Sequence, residues 1–496
     1  MRGLLVGTRF PVHVLPMFGL KLDPTTHWGL LGIGLFYMIG FFHILHALMN
    51  TRTSQGTIAW VVSLFFMPFL AIPLYWLLGR SKFEGYVRAR RGNDAKLRKI
   101  ARNMSVSLRK YAINYPLENF FERCAEELGG LPFTRGNRLD LLIDGDETFE
   151  EIFSAMKRSK KYICVNFFIV KNDKIGKRFQ QSLIERAKAG VKVYFLFDEI
   201  GSHKLSSKFL TELREAGVEC QSFGANRFWW SRLQLNFRNH RKILIVDGME
   251  AYLGGLNIGD EYMGRSAEFG SWRDTHLHIQ GPAVQAVQVV FLEDWFWACS
   301  RIPNLSWEPN EQREDQTTAI IPTGPADPIE SWQMLVVEAA NISRERLWIA
   351  SPYFVPDDGV ICALQLAAMR GVDVRVMLPD RPDHILVWLS SYSYYEQTIP
   401  FGVKIYRFND GFMHQKVMLV DQRMAAIGTA NLDNRSFRLN FEITAFIPDT
   451  HFIREVDHML TEDFSKCTKA TVEEFMKKPY LFKLASRTAK LMSPLQ

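Results

Sequence analysis

Residues 239–257, NHRKILIVDGMEAYLGGLN, and residues 413–431, MHQKVMLVDQRMAAIGTAN, are two copies of one pattern in a chain of 496 residues. Each has a His, a Lys two residues on, an Asp five beyond that, and then Gly-x-x-Asn. His240 and His414 are 174 residues apart, as are Lys242 and Lys416, Asp247 and Asp421, Gly254 and Gly428, and Asn257 and Asn431. With 12 His in the chain, one chance hit on so short a pattern would occur at roughly a few per cent. Two hits in register across the whole stretch point to duplication with the polar set retained.

The apolar runs Ile243 to Val246 and Val417 to Val420 read as buried strands, and side chains two apart on an extended chain share a face. Each copy therefore presents an imidazole and an ammonium together. The glycine-rich turn that follows lets backbone approach a ligand, and the Asn amide can donate to an oxygen. Such a set suits an oxyanion, above all a phosphate.

The surrounding pattern is strand, helix, strand from about residue 136. Residues 161–170 and 191–201 read as strands around an amphipathic helix at 176–190. Residues 346–355 and 372–379 do the same around 359–371. This alternation predicts an α/β fold of two similar halves, 136–310 and 311–496, closing on one active site.

Residues 28–49 and 57–78 each run 22 positions without a charge, enough for a helix to cross a bilayer. Buried core helices are the alternative, but soluble helices seldom go so long uncharged. The expectation is a transmembrane hairpin after an extension at 1–27, its loop holding the single basic residue Arg52. Arg2, Arg9 and Lys21 precede the first span, and a basic linker opens 80–135. By the positive-inside rule both chain ends and the catalytic part are then cytoplasmic. The basic residues between Arg80 and Lys110 suit anionic headgroups or a solvated face. His43 and His46 share a face of the first span, as a metal or proton site or as bonds to a neighbouring helix. The aromatic clusters Phe228, Trp229, Trp230 and Tyr392, Tyr394, Tyr395 suit core packing, a membrane interface or an acyl-chain groove.

Composition is that of a folded protein with some membrane segment: 47% hydrophobic, 23% charged, net charge +7. The six scattered Cys form no metal-type spacing and fit reduced thiols.

Phosphodiester cleavage needs a nucleophile, charge neutralisation at the non-bridging oxygens and a proton for the leaving alkoxide. His240, Lys242 and Asp247 with His414, Lys416 and Asp421 form the candidate catalytic set. One neutral imidazole would attack phosphorus and the other protonate the leaving oxygen, with the roles then reversing. Lys242, Lys416, Asn257 and Asn431 would hold the phosphate. Asp274 and Glu442, 34 and 28 residues after His240 and His414 respectively, are the candidates to orient each imidazole, or else structural ion pairs. Asp247 and Asp421, though part of the motif, end its strands too far along to share the site and read as structural. No metal and no cofactor is expected.

The duplicated motif resembles the HKD motif of the phospholipase D superfamily. Segments such as NHRKILIVDG, FGSWRDTHLHIQGPAV, SPYFVPDDG, GFMHQKVMLVD and GTANLDNRSFRLNFE resemble the bacterial cardiolipin synthases from about Arg52 onward. The resemblance implies a cytoplasmic-membrane enzyme of several spans that transfers a phosphatidyl group from one phosphatidylglycerol to another, giving cardiolipin and glycerol. It also implies that the first-half His240 is the nucleophile and His414 the acid, which the symmetric motif does not decide. The turns depart from the common Gly-Ser, reading Gly254-Gly255 and Gly428-Thr429. Rival readings are a phospholipase D-type hydrolase, another phosphatidyltransferase, or a non-catalytic membrane protein that binds anionic lipid; nucleic acid is not an expected partner.

Overall fold

The computed structural model describes residues 27–50, 53–79, 106–224 and 236–496. Residues 1–26, Arg52, the basic run from Arg80 to Arg102 and the cluster Phe228 to Trp230 lie outside the described residues. The chain divides into two units, 1–81 and 82–496.

In the first unit, His27–Asn50 is one continuous helix of 24 residues, long and apolar enough to cross a membrane. The second apolar run differs from the expected single span. It is two helices, Ser54–Phe66 and Pro68–Leu78, that break at Met67. Proline has no N–H to donate and disfavours helical backbone in the residue before it, and Met67 sits at φ −136°, ψ 55°. His43 and His46 are tied into this unit by hydrogen bonds. Trp76 Nε1 donates to His43 Nε2 at 2.5 Å, and His46 Nδ1 lies 2.7 Å from the Tyr75 hydroxyl.

The second unit is built on one sheet of 16 strands among the described residues, fifteen in a continuous order and the two-residue strand Arg238–Asn239 paired beside it. The first half supplies β1 (Thr134–Ile143), β2 (Tyr162–Phe167), β3 (Lys192–Asp198), β4 (Glu219–Phe223), β5 (Ile243–Val246), β6 (Glu250–Gly254) and β7 (Thr275–Gln280). The second supplies β8 (Gln316–Thr323), β9 (Arg346–Ala350), β10 (Asp373–Pro379), β11 (Lys404–Phe408), β12 (Val417–Val420), β13 (Met424–Gly428), β14 (Asn440–Ile447) and β15 (Cys467–Lys469). The order across the sheet is β15-β11-β10-β9-β12-β13-β14-β8-β1-β7-β6-β5-β2-β3-β4. Read outward from the β8–β1 junction, the two halves repeat each other.

The motif strands β5 and β12 are buried on both faces, which is why each is apolar at every position. Ile243 and Ile245, with Val417 and Leu419, face a core that spans both halves and is capped by the helices Ala283–Cys299 and Thr450–Ser465. Leu244 and Val246 face a separate first-half core under Asp144–Arg158 and Lys174–Lys188. Met418 and Val420 face its second-half counterpart under Ser331–Ile342 and Asp358–Met369. The body also takes in part of the stretch assigned to a linker. Leu108, Phe121, Ala125 and Phe133 are core residues, and Phe120–Gly129 is a helix. Tyr392, Tyr394 and Tyr395 are likewise core.

Candidate active site

Each motif histidine follows a two-residue strand that pairs in parallel with the opposite half. Arg238–Asn239 pairs with the start of β14, matching Asn239 to Phe441, and Phe412–Met413 pairs with Trp272–Arg273, matching Met413 to Arg273. The next residue along each ladder is the imidazole on one side and the carboxylate on the other. His240 N–H donates to Phe441 O at 3.0 Å, and His414 N–H to Arg273 O at 2.8 Å. His240 Nδ1 consequently lies 2.9 and 3.0 Å from the two Glu442 oxygens, and His414 Nδ1 lies 2.8 Å from Asp274 Oδ2. This corrects the expectation that each histidine uses the carboxylate downstream in its own half. The pairs are crossed, and so bring the two halves to one site.

The two lysines are buried beside their histidines, each donating to its own histidine's carbonyl at 2.5 Å. Lys416 Nζ is also 3.0 Å from His414 Nδ1. With Asp274 ionised, that nitrogen carries the proton and donates to the carboxylate, so the ammonium is a repulsive neighbour. Burial, and then the lysine charges, hold both imidazoles neutral: His240 is lowered to about 4 and His414 well below the usual histidine range. Burial lowers Lys416 to about 8 and pushes Lys242 well down.

The carboxylates differ. Burial alone would push Glu442 up, but His240, the Lys242 charge and the Thr429 hydroxyl outweigh it, and its pKa is lowered. Besides His240, Thr429 Oγ1 donates at 2.6 Å, Ser436 Oγ at 2.9 Å and Asn440 Nδ2 at 3.3 Å. Asp274 receives Thr275 N–H at 2.9 Å and Trp272 Nε1 at 3.3 Å besides His414; burial wins there and its pKa is raised. The departures from Gly-Ser are explained here. The Thr429 hydroxyl serves Glu442, and a Cβ on Gly255 would fall 1.9 Å from Asp274 Oδ1.

Asp247 and Asp421 stand away from this cluster. Asp247, at φ 55°, accepts the backbone N–H groups of Lys160, Lys161 and Tyr162, and Asp421, at φ 49°, those of Arg344, Glu345 and Arg346. They fix the starts of β2 and β9 beside the motif strands. Asn257 accepts Ile169 N–H and donates to the Tyr262 hydroxyl, both at 3.0 Å. Asn431 donates to Asp433 at 3.3 Å, and its buried Oδ1 accepts nothing among the described residues.

Several residues of the site were not singled out from the sequence. The buried Asp294 accepts Arg241 Nη1 at 2.7 Å and Asn239 Nδ2 at 2.9 Å, and Asp463 accepts Gln415 at 2.7 Å and Arg273 through two bonds of 2.8 Å. Each half's long helix thus holds the residue after its histidine. Tyr353 donates to Asp383 at 2.5 Å, and the Asp383 charge reaches His414 and Lys416. In the first half Phe168 instead stands edge-on to His240, ring centroids 5.0 Å apart. Comparing KYICVNFFIV with RLWIASPYFV places Phe168 opposite Tyr353 and would have flagged this pair. A groove of about 810 Å³ between β1 and the helix Thr450–Ser465 lies behind Arg273 and holds none of the motif histidines or lysines.

Two α/β halves that exchange carboxylates around paired His-Lys sets define a phospholipase D-type enzyme. The family model described as "Cardiolipin synthase, PLD-like domain" matches residues 152–295 and 336–464, and one described as "Phospholipase_D-nuclease N-terminal" matches residues 35–80. Cardiolipin synthase A of Pseudomonas fluorescens is 42% identical over 466 residues, 93% of this chain and 97% of the relative. That of Pseudomonas aeruginosa is 42% identical over 482 residues, 96% and 97% respectively. The chain belongs to the cardiolipin synthase family of the phospholipase D superfamily. The crystal structure of a phosphatidylserine synthase from Haemophilus influenzae shares the fold, with a TM-score of 0.57 at 15% identity, over 76% of this chain and 100% of that one.

Proposed function

We propose that this enzyme joins two phosphatidylglycerol molecules into cardiolipin, releasing glycerol, through a phosphatidyl-histidine intermediate. The crossed His240–Glu442 and His414–Asp274 pairs carry the reading. Glu442 keeps the proton on His240 Nδ1, leaving Nε2 as the nucleophile. Nε2 attacks phosphorus, the bond to the glycerol oxygen breaks, and His414 gives that oxygen its proton. His414 is neutral in the free site, but the negative phosphodiester raises its pKa, so binding loads the acid. His414, now neutral, takes the proton from the hydroxyl of a second phosphatidylglycerol, which attacks phosphorus as the P–N bond breaks.

Lys242 and Lys416 turn from their carbonyl partners to the non-bridging oxygens, and Asn257 and Asn431 each keep an N–H for them. Asp247 and Asp421 hold the motif strands and take no part in the chemistry.

The N-terminal unit is read as a hairpin in the bacterial cytoplasmic membrane, with the broken run 54–78 as its second, kinked span and the catalytic unit in the cytoplasm. Supporting this, the His43–Trp76 and His46–Tyr75 hydrogen bonds satisfy polar groups between helices. A Cβ on Gly40 would come 3.2 Å from Leu64 O, so glycine permits the close crossing.

Purified protein given phosphatidylglycerol alone should yield cardiolipin and glycerol in equal amounts. Phosphatidic acid as the main product would replace this reading with a hydrolase.

A further inference from the structure

We infer that the helix Tyr480–Lys490, with the first turn of the helix Ile385–Thr398, is a membrane-docking surface that seats the catalytic unit on anionic lipid beside the site. The helix Tyr480–Lys490 has three sides. Phe482, Ser486 and Ala489 turn inward: Phe482 packs edge-on against Trp388, 5.8 Å between centroids, and Ser486 bonds Ser393 at 2.9 Å and donates to Leu389 O at 2.7 Å. Lys483, Arg487 and Lys490 form a second, basic side. The third side is apolar and open to solvent. Tyr480 and Leu481 are each 75% exposed, Leu484 49%, and Leu491, just past the helix, 79%.

At 100° per residue those four side chains fall on one face. A core would have buried them, and a solvated helix would be polar there. Ile385, 69% exposed, and Leu386, 46% exposed, add apolar surface one turn before the Trp388 that touches Phe482.

Charge selects the occupant. Residues 475–496 hold five basic residues, Lys477, Lys478, Lys483, Arg487 and Lys490, and no Asp or Glu. Only Arg487 has an ion pair among the described residues, an exposed one with Glu396 at 3.3 Å. An apolar face flanked by an excess of basic residues, of which Lys490 feels the charges of Asp358 and Glu396, matches an interfacial helix on a negatively charged bilayer. The patch also lies toward the site: His384 and Trp388 line one small pocket with Tyr353 and Asp383. His384 leads from Ile385 to Asp383, which Tyr353 holds and whose charge reaches His414. A headgroup entering from the bilayer beside Ile385 would meet Asp383 and Tyr353 on its way in. The inference adds to the proposed function a place of entry, and only its kinetic arm rests on that reading.

The test is label depth in the full chain. Leu484→Cys, made with Cys362→Ser to remove the exposed native thiol, carries a nitroxide in nanodiscs containing phosphatidylglycerol; Lys208→Cys is the comparator. The label at 484 should be reached by oxygen and shielded from a water-soluble nickel chelate, while the one at 208 stays open to nickel. A water-exposed label at 484 would overturn the inference. So would spin–spin broadening, which would assign the face to a second copy, and so would equal immersion in purely zwitterionic discs. Leu481→Glu with Leu484→Glu should raise KM for bilayer phosphatidylglycerol at least about tenfold and leave turnover of a monomeric short-chain analogue unchanged. Equal loss on both would count against it. Wild-type protein that made no cardiolipin would refute the enzyme reading and leave the label depths as they are.

Discussion

His240 and His414 hold the same place in the two halves, yet their surroundings have diverged. His240 faces a glutamate whose pKa is lowered and which accepts three further side-chain donors, and its ring meets that of Phe168 in a T-shaped contact. His414 faces an aspartate that burial holds raised, with Lys416 crowding its Nδ1 and the Tyr353–Asp383 pair near by. A firmly ionised partner suits a nucleophile that must stay in one tautomer, and it stabilises the imidazolium-like charge as the P–N bond forms. A histidine kept neutral by burial and then by a neighbouring ammonium suits an acid that takes up a proton only when an anion binds. Duplication made the backbone symmetric; the side chains around the two imidazoles set them apart.

Breaking the two histidines separately gives the largest contrast. His240→Ala and His414→Ala should each lower turnover of phosphatidylglycerol by about 10⁴-fold or more. With a p-nitrophenyl phosphatidyl ester, whose leaving group needs no proton, His414→Ala should still release nitrophenolate in one burst and His240→Ala should not. Glu442→Gln and Asp274→Asn sharpen the crossing. Each should cost about 10²- to 10⁴-fold on the natural substrate, but only Glu442→Gln should suppress the burst. Suppression by Asp274→Asn instead would restore same-half pairing.

Proton movements come next. Binding phosphatidylglycerol at pH 7 should take up as much as one proton, measured by calorimetry in buffers of different ionisation enthalpy. His414→Gln should reduce the uptake and His240→Gln retain it. Acid should also loosen the fold: His240 and the buried His276 are both lowered to about 4 by burial, so the unfolded chain binds their protons near 6.5 and the folded one does not. Stability then falls as pH drops from about 6.5 toward 4, by as much as about 3 kcal/mol per imidazole, read as a falling Tm that His276→Leu partly removes. The smallest effect is Thr429→Val, which removes one of the donors to Glu442 and should slow turnover about tenfold. The first half has no such hydroxyl to lose at Gly255.

Much of this was legible in the chain. The 174-residue repeat gave the halves, the single shared site and the motif strands, because buried strands write themselves as apolar runs and catalytic residues as fixed spacings. Asp274 and Glu442 were legible as partners, but not their crossing, since that depends on the pairing of Asn239 with Phe441 and Met413 with Arg273, about 200 and 140 residues away. The break at Met67 was written in Pro68, yet an apolar run hides the loss of one hydrogen bond. Asp294, Asp463 and Asp383 carry no local pattern; only tertiary packing brings them to the histidines' neighbours. The exposed face of Tyr480–Lys490 has an ordinary amphipathic period, and only its docking on Trp388 tells which apolar side is spare.

The central claim is tested most directly by trapping the intermediate. Enzyme mixed with phosphatidylglycerol labelled at phosphorus, quenched in alkaline denaturant within one turnover and digested for peptide mapping, should carry the label on Nε2 of His240. Label on His414, or turnover with no labelled histidine, would contradict it.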